Sequence, residues 1–272
     1  MHSLPLQILG KILRILLYCS TAGYFSACLY LYFNQERLIF HPAVLPRDFV
    51  YPFTHPYSEV FLSVDGAVLA LVHFTQPNPK GVVLYLHGNA ENLASAEAVA
   101  ERFIQRGYAV VLPDYRGYGK STGSITNEAT LHQDAQAVYA YVQQHYREDQ
   151  IIIYGQSLGT GLAVRLAATT APRMLILESP YLSMQDLVSQ KQPYIPLFLL
   201  KYPLRSDEWL GKVRCPLYLF HGTDDWLIPY NSSERLQHYS TVPTQLISIA
   251  GGGHSDLVNF APYQASLDGI LR

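Results

Sequence analysis

The chain has 272 residues, of which 49% are apolar and 15% are charged. A chain this rich in apolar residues folds rather than staying disordered. The 19 Lys and Arg residues nearly balance the 21 Asp and Glu residues, with a formal net charge of −2, which excludes the strongly basic footprint of a nucleic-acid-binding protein. Cys19, Cys28 and Cys215 are too few for a disulfide framework and are not spaced as zinc ligands.

The N-terminal region contains an uncharged apolar run over residues 15–33. A helix needs about 20 apolar residues to cross ~30 Å of hydrocarbon, so the run predicts a single-pass transmembrane anchor. Two alternatives stay open. Residues 25–28 (FSAC) resemble a lipoprotein processing site, which favours a lipidated or cleaved segment. A buried core helix has a similar composition.

The orientation of this segment is weakly encoded. Lys11 and Arg14 precede the run, and Arg37 and Arg47 follow it, so the positive-inside rule gives no bias. The N-terminal amine adds one positive charge. It favours the N-terminus inside and the remaining chain on the extracytoplasmic or periplasmic side.

After residue 41, strand-like and helix-like segments alternate. Two β-rich runs within residues 57–74 are joined by Asp65-Gly66, a two-residue hairpin signal. The alternation that follows predicts an α/β fold, with a mainly parallel sheet covered by helices on both faces. We expect an anchor and juxtamembrane segment over residues 1–41 and one domain over 42–272. Further strands are predicted at 81–86, 108–112, 150–154, 174–177, 217–220 and 245–249, and helices at 92–105, 127–146, 158–168, 232–239 and 262–271.

Residues 155–159 read Gly-Gln-Ser-Leu-Gly, between a predicted strand and a predicted helix. This is the context of a nucleophile elbow, in which a sharp turn raises the serine above the sheet. Ser157 is therefore the candidate nucleophile, and the N–H of Leu158, at the helix N-terminus, is a candidate oxyanion donor. The glycines are expected where neighbouring backbone comes too close for a Cβ.

His87-Gly88-Asn89-Ala90 directly follows the strand at 81–86. The backbone N–H of Asn89 is the candidate second oxyanion donor, and the alternative is a helix N-cap by Asn89. We interpret His87 as a structural hydrogen-bonding residue rather than a proton carrier.

A carboxylate and a histidine follow the last two strands. Asp224 and Asp225 come after the strand at 217–220, where one carboxylate can orient a catalytic imidazole. His254 follows a glycine run and is the candidate general base for Ser157. We expect Asp256 to be a helix N-cap. The chain order serine, aspartate, histidine is that of α/β-hydrolases.

Residues 181–210 form the longest stretch without alternation, and we expect a small cap over the nucleophile there. Its apolar residues favour acyl groups as substrates, with Tyr194, Phe198 and Leu199 as candidate contacts. The alternative is a packing helix without a substrate role.

No cofactor or metal is expected. The histidines form no metal-binding pattern, and the run DYRGYGKS at 114–121 lacks the spacing of a phosphate-binding loop. Arg116 in that run is interpreted as a structural partner of nearby carboxylates or carbonyls.

The sequence resembles the α/β-hydrolase superfamily over nearly its whole length. More narrowly, it is similar to the membrane-anchored branch that includes depalmitoylating serine hydrolases and their bacterial and fungal relatives, some of which are labelled serine peptidases. The resemblance implies the α/β-hydrolase fold and a triad of Ser157, Asp225 and His254, with oxyanion donation at Asn89 and Leu158. Glu91 departs from the glycine common in relatives and leaves the charge of the substrate open. The motifs that carry the resemblance are QERLIFHP, LHGNA, DYRGYGKS, GQSLG, ESPY, HGTDDWLIP and GGGHSDL.

Together these patterns predict a membrane-anchored serine hydrolase that cleaves carboxylic esters or thioesters of acyl substrates through an acyl-enzyme. A peptidase or amidase of the same fold is the first alternative. A non-catalytic scaffold is the second, because a fold alone does not establish a function.

Overall fold

A computed structural model describes residues 6–90 and 92–272. The interpretation of Glu91 lies outside the described residues. Eight strands of the described chain form a single sheet. Their bounds are Tyr57–Val64 (β1), Ala67–Phe74 (β2), Val82–Leu86 (β3), Ala109–Pro113 (β4), Ile151–Gln156 (β5), Met174–Glu178 (β6), Leu217–Gly222 (β7) and Thr244–Ile249 (β8).

The order across the sheet is β1-β2-β4-β3-β5-β6-β7-β8. Strands β1 and β2 form the predicted hairpin, which turns at Gly66 with a φ of 70°. Strand β2 is antiparallel to β4, and all pairs from β4 to β8 are parallel. The predicted mainly parallel sheet with an antiparallel start is confirmed, and the carboxyl ends of its parallel strands meet along one edge.

The helices of the described chain include the segments predicted between the strands. Their bounds are Leu6–Ile39 (α1), Ala96–Ile104 (α2), Glu128–Gln143 (α3), Leu158–Ala167 (α4), Met184–Lys191 (α5), Ser206–Trp209 (α6), Asn231–Gln237 (α7) and Ala261–Ile270 (α8).

Two hydrophobic cores lie on opposite faces of the sheet. Along β5, Ile153 belongs to the core shared with α3 and α4, whereas Tyr154 belongs to the core shared with α2 and α8. Successive strand residues point to opposite faces, so a strand covered on both sides is apolar throughout. Every residue of β3 and β5 is buried, and burying each large aliphatic side chain contributes about 2 kcal/mol.

Helix α1 is longer than the predicted apolar run. It has 34 residues, about 51 Å of helix at ~1.5 Å per residue, and is long and apolar enough to cross a membrane. Its most apolar window is not buried by the rest of the described chain, unlike the buried core helix considered above. Phe40, directly after α1, is buried against Tyr202 with ring centroids 5.0 Å apart. The division between residues 41 and 42 stays a prediction.

The segment 181–210 contains α5, a short 3₁₀ turn at Leu197–Leu199, and α6. The sequence analysis considered a packing helix in this segment but gave no bounds for α5. Ser183 caps this helix by accepting a hydrogen bond from the N–H of Asp186 at 2.9 Å. None of its residues is fully buried, so it lacks the strong apolar stripe from which helices are predicted.

The loop after β4 is fixed by a buried ion pair. Arg116 donates two hydrogen bonds to Asp134 of α3, at 2.6 and 2.8 Å, and both side chains are 7% exposed. This is the structural partnership expected for Arg116. A bidentate pair of this kind restricts the loop geometry.

We predict that Asp134→Ala lowers the free energy of unfolding by about 3 kcal/mol, because it leaves the Arg116 guanidinium buried without its partner. Asp149→Ala is the control, since Asp149 pairs with Arg147 in an exposed position and such pairs contribute little. Urea unfolding of both variants in the same detergent gives the comparison. Equal losses in the two variants would contradict the prediction.

Candidate active site

Ser157 lies at the junction of β5 and α4 in a conformation that L-residues rarely adopt, with φ 48° and ψ −118°. Its N–H donates to the carbonyl of Glu178 at 2.9 Å, which ties the turn to the end of β6. The flanking glycines are required by close contacts. A Cβ on Gly155 would lie 2.7 Å from the Cβ of Ala163, and a Cβ on Gly159 would lie 2.1 Å from the carbonyl oxygen of Leu86.

Ser157, His254 and Asp225 are joined by hydrogen bonds although they come from three separate loops. His254 Nε2 is 2.9 Å from Ser157 Oγ, and His254 Nδ1 is 2.8 Å from Asp225 Oδ2. A carboxylate only accepts, so Nδ1 carries the proton and Nε2 is free to accept from the serine hydroxyl. The exposed Asp224 instead accepts from Thr223 Oγ1 at 3.0 Å.

The Asp225 carboxylate is fully buried yet remains ionised. Burial by itself raises its pKa, but hydrogen bonds from His221, His254 and the N–H of Ile228 outweigh that effect and hold the pKa well below its usual value. Oδ1 accepts from the N–H groups of Leu227 and Ile228 at 2.9 and 2.8 Å. These bonds leave Oδ2 facing the imidazole.

His221 supports the same carboxylate, a role that the sequence interpretation missed. It is fully buried at the end of β7, with Nε2 3.0 Å from the carbonyl of Ile228 and 3.3 Å from Asp225 Oδ2. Both partners are acceptors, so Nε2 carries the proton. Nδ1 then accepts from the Ser233 hydroxyl at 2.6 Å. Its position at the start of the HGTDD motif was the available sequence signal.

The two candidate oxyanion donors lie beside Ser157. The N–H of Leu158 opens α4, where helix N–H groups lack partners within the helix. A Cβ on Gly88 would be 3.7 Å from the Cβ of Ser157, so the loop that carries Asn89 lies next to the serine. Asn89 is held by its carbonyl, which accepts from Tyr118 at 2.7 Å and from the N–H of His41 at 2.9 Å.

Asn89 is not the helix cap considered as the alternative. Its side chain donates to the carbonyl of Ile39 at 3.2 Å. The next turn is capped by Asn92, which accepts from the N–H of Ala94 at 2.8 Å. The end of α1 therefore contacts the loop beside the nucleophile.

An apolar cavity of about 310 Å³ opens next to Ser157. Its walls come from the end of α1, from α5 and from the loop after β7. The lining residues include Leu38, Ile39, Met184, Leu187, Val188 and Leu227. In the described part of the chain, no group of three or more His, Cys, Asp or Glu residues is arranged to hold a metal ion.

The three predicted cap contacts differ in whether they line a cavity. Leu199 lines a second cavity that continues from the first. Tyr194 and Phe198 are 83% and 86% exposed and are not among the residues that line either cavity. A substrate contact by each of the three residues stays a prediction.

Comparisons with known proteins identify the family. The family described as serine aminopeptidase, S33, matches residues 77–202. An uncharacterized protein of Mycobacterium tuberculosis is 30% identical over 238 residues, covering 84% of this chain and 83% of that protein. The lysophosphatidylserine lipase ABHD12 of Danio rerio is 31% identical over 207 residues, covering 68% of this chain and 52% of the lipase. A Pyrococcus furiosus esterase structure superimposes with a TM-score of 0.68 at 19% identity, over 86% of this chain and 97% of the esterase.

The chain belongs to the α/β-hydrolase superfamily. The expected fold is confirmed, and the family match supports a hydrolase.

His87 of this α/β-hydrolase is buried beside the site, and its Nδ1 donates to the carbonyl of Gly88 at 2.7 Å. Burial lowers its pKa to about 4, so the ring is neutral at physiological pH. It stacks on Tyr115 with ring centroids 4.1 Å apart. These contacts agree with a structural rather than a proton-carrying role.

Two residues fix the loop that carries His254 in this hydrolase. Asp256 stands at the N-cap position of the 3₁₀ turn Leu257–Asn259 but makes no side-chain cap bond there. Its carboxylate instead accepts from the N–H of Gly253 at 2.7 Å, and α8 begins only at Ala261. Ser179, which the sequence interpretation did not single out, is fully buried and donates to the carbonyl of His254 at 3.1 Å.

We predict that Gly159→Ala destabilises this hydrolase by about 2 kcal/mol, a typical cost of forcing a group into a packed interior. The matched control is Gly269→Ala in α8, where an added Cβ meets no atom within 4 Å. Alanine exceeds glycine in helix propensity, so the control should be neutral or slightly stabilising. Thermal unfolding of the two variants tests the sign. A stabilised Gly159→Ala variant would contradict the close contact with Leu86.

Proposed function

We propose that this chain is a serine hydrolase that cleaves carboxylic esters or thioesters of acyl substrates. The observation that carries the proposal is the hydrogen-bond series from Ser157 through His254 to the buried Asp225. Beside Ser157 lies an apolar cavity, which suits an acyl group. A non-catalytic scaffold has no need of a nucleophile, a base and a buried carboxylate in this arrangement.

The proposed reaction begins when Ser157 Oγ attacks the acyl carbon and its proton passes to His254 Nε2. The carbonyl oxygen becomes an oxyanion facing the N–H groups of Leu158 and Asn89. Collapse of this intermediate breaks the carbon–oxygen or carbon–sulfur bond, and His254 returns the proton to the leaving group. Water then attacks the acyl-enzyme, losing a proton to His254, and the acid leaves as Ser157 regains its hydrogen.

The charge distribution favours this sequence of proton transfers. The low pKa of Asp225 keeps its carboxylate ionised throughout the neutral range. That negative charge stabilises the imidazolium that forms at His254 in each half-reaction. One oxyanion donor is typically worth about 3 kcal/mol in the transition state, so the backbone at Leu158 and Asn89 should matter as much as the side chains.

A peptidase is the second candidate, because the matching family is described as serine aminopeptidase. Such an enzyme would need a carboxylate to bind the free ammonium group of a peptide. In the apolar cavity beside Ser157, the charged residue among the described lining residues is Lys191, which would repel an ammonium group. A second cavity at Ser157 is lined in part by Asp256, but Oδ1 of this carboxylate already accepts from the N–H of Gly253. An acyl substrate fits this wall better.

We also propose that α1 anchors the catalytic domain, residues 42–272, to a membrane. The long, apolar and largely exposed helix supports this assignment. We propose that the N-terminus lies inside and the domain on the extracytoplasmic side. Protection of a C-terminal tag from added protease in intact spheroplasts would overturn that orientation.

The direct test uses a fluorophosphonate probe, which reacts with activated serines. The purified full chain should be labelled in detergent, and Ser157→Ala should abolish labelling together with hydrolysis of p-nitrophenyl esters. Retained turnover in a folded Ser157→Ala variant would overturn the proposal. Parallel reactions with an acyl thioester and a peptide amide separate the proposed substrates from the peptidase alternative.

We predict that Asp225→Asn lowers kcat by a factor on the order of 10³–10⁴, because an amide cannot stabilise the imidazolium as a carboxylate does. Asp224→Asn is the matched control and should leave kcat within about twofold, since its side chain contacts Thr223 rather than the imidazole. Steady-state kinetics on one ester measures both. Similar losses in the two variants would contradict the assignment of Asp225.

A further inference from the structure

The cavity beside Ser157 continues into a second apolar cavity along α1. The second cavity has a volume of about 580 Å³, and the two share residues of their walls. The shared residues are Leu38, Ile39, Met184, Val188 and Gln192. The distal end is lined by Leu31 and Gln35 of α1 and by Ile195, Leu199 and Leu200 of the cap segment. We call the two cavities together the α1 groove.

Helix α1 is fastened to the opposite wall of the α1 groove. The buried Gln35 amide donates to the carbonyl of Leu199 at 2.6 Å and accepts from the N–H of Lys201 at 2.9 Å. The next residue, Glu36, pairs with Lys201 at 3.1 Å and accepts from the Tyr202 hydroxyl at 2.9 Å. These four bonds hold the end of α1 against residues 199–202.

The cap segment runs alongside the apolar part of α1. Further from the domain, the Tyr24 hydroxyl donates to the carbonyl of Tyr194 at 2.8 Å. Tyr24 lies near the middle of the uncharged run 15–33, about 14 Å of helix before Phe33. Leu31 lies two residues before the end of that run, and Gln35 lies two residues after it. With the run in a bilayer, the distal end of the α1 groove therefore lies where the hydrocarbon meets the headgroups.

Two aromatic residues of the cap lie along α1: Tyr194 beside Tyr24, and Phe198 directly before Leu199, which lines the distal end of the groove. Tyr194 and Phe198 are 83% and 86% exposed, although large aromatic rings are usually buried in a soluble domain. Aromatic side chains are favoured where hydrocarbon meets polar headgroups. Phe198, next to the distal end of the α1 groove, lies at that level, so a bilayer would cover its exposed ring.

We infer that the α1 groove binds the acyl chain of a membrane lipid, which reaches Ser157 from the leaflet that surrounds α1. This inference rests on the proposed function, because the lipid ester must stand at Ser157. The acyl chain then lies between α1 and the cap. The headgroup side of the ester faces the water-exposed side of the site. The membrane helix is thereby part of the binding site as well as an anchor.

A matched pair of substitutions on α1 tests the groove. Leu31 lines its distal end, whereas Leu29 is 43% exposed and is not among the lining residues. In the full chain in phosphatidylcholine vesicles, Leu31→Trp should lower the kcat/KM ratio of p-nitrophenyl laurate to p-nitrophenyl butyrate by about tenfold, as when a pocket loses room for methylenes. Leu29→Trp should keep the wild-type ratio. Equal ratios in the two variants would overturn the groove.

A variant on the opposite wall covers the case in which Leu31→Trp does not fold. Ile195→Trp fills the same distal end from the cap side and should lower the same ratio. Fluorophosphonate labelling reports on the folded site of each protein. A wild-type chain that hydrolyses neither ester and takes no label would contradict the proposed function itself, whereas ester hydrolysis without chain-length selection would contradict only the groove.

The source of the acyl chain is tested with two substrates. Monopalmitoylglycerol in phosphatidylcholine vesicles should be hydrolysed, with a lower rate in Leu31→Trp than in Leu29→Trp. Hydrolysis of an S-palmitoyl cysteine peptide without hydrolysis of the vesicle lipid would overturn a lipid as the occupant.

Membrane contact of the cap is read from Phe198→Trp, whose added fluorescence should be quenched by doxyl-labelled phosphatidylcholine. If the added fluorescence of Phe198→Trp were not quenched, access from the leaflet would be overturned.

Discussion

The Ser157 hydroxyl is held above the sheet by a backbone conformation with φ 48°, and the rest of the site is built around that turn. A non-glycine residue in such a conformation typically costs about 1–3 kcal/mol, and it persists only where the surrounding structure enforces it. Here α4 packs against β3 and β5 so closely that Gly155 and Gly159 have no room for a Cβ. The contacts that enforce this strained conformation are therefore made between α4 and strands β3 and β5. They involve neither the Ser157 side chain nor its hydrogen-bond partners.

A buried polar cluster stabilises the strand ends beneath this turn. Glu178, 1% exposed, accepts from the hydroxyls of Tyr154 and Tyr263 and from the amide of Gln156. Gln156 directly precedes Ser157, and Ser179, which follows Glu178, holds the carbonyl of His254. Buried polar groups are costly unless their hydrogen bonds are made. The hydrogen bonds of this cluster thus connect the loop that carries Ser157 and the loop that carries His254 to the Glu178 carboxylate.

Much of this architecture could be predicted from the sequence because its signals are local. Strands β3 and β5 are continuous apolar runs between polar turns, and the turn at Ser157 needs glycines at fixed spacing. Helix α5 gave no such signal, since it buries none of its residues fully. Asp224 and Asp225 are neighbours of the same type, so the pattern alone did not separate them, and only the resemblance favoured Asp225.

The contacts between α1 and the cap segment escaped the sequence interpretation. Gln35 and Lys201 are 166 residues apart, and no periodicity in either segment indicates that they meet. The anchor was therefore predicted as a tether, whereas its last turns contribute Leu38 and Ile39 to the wall beside Ser157. Tyr194 and Phe198 were chosen for their apolar character, which a membrane-facing ring shares with a substrate-facing one.

Trapping of the covalent intermediate tests the account most directly. The full chain is mixed with a p-nitrophenyl ester, quenched in acid within the first turnovers and digested for mass spectrometry. One acyl group per chain, carried by Ser157 Oγ, and a burst of p-nitrophenol of matching size are expected. Rapid turnover with the acyl group on another residue, or with no acyl-enzyme and no burst even when deacylation is slowed, would contradict it.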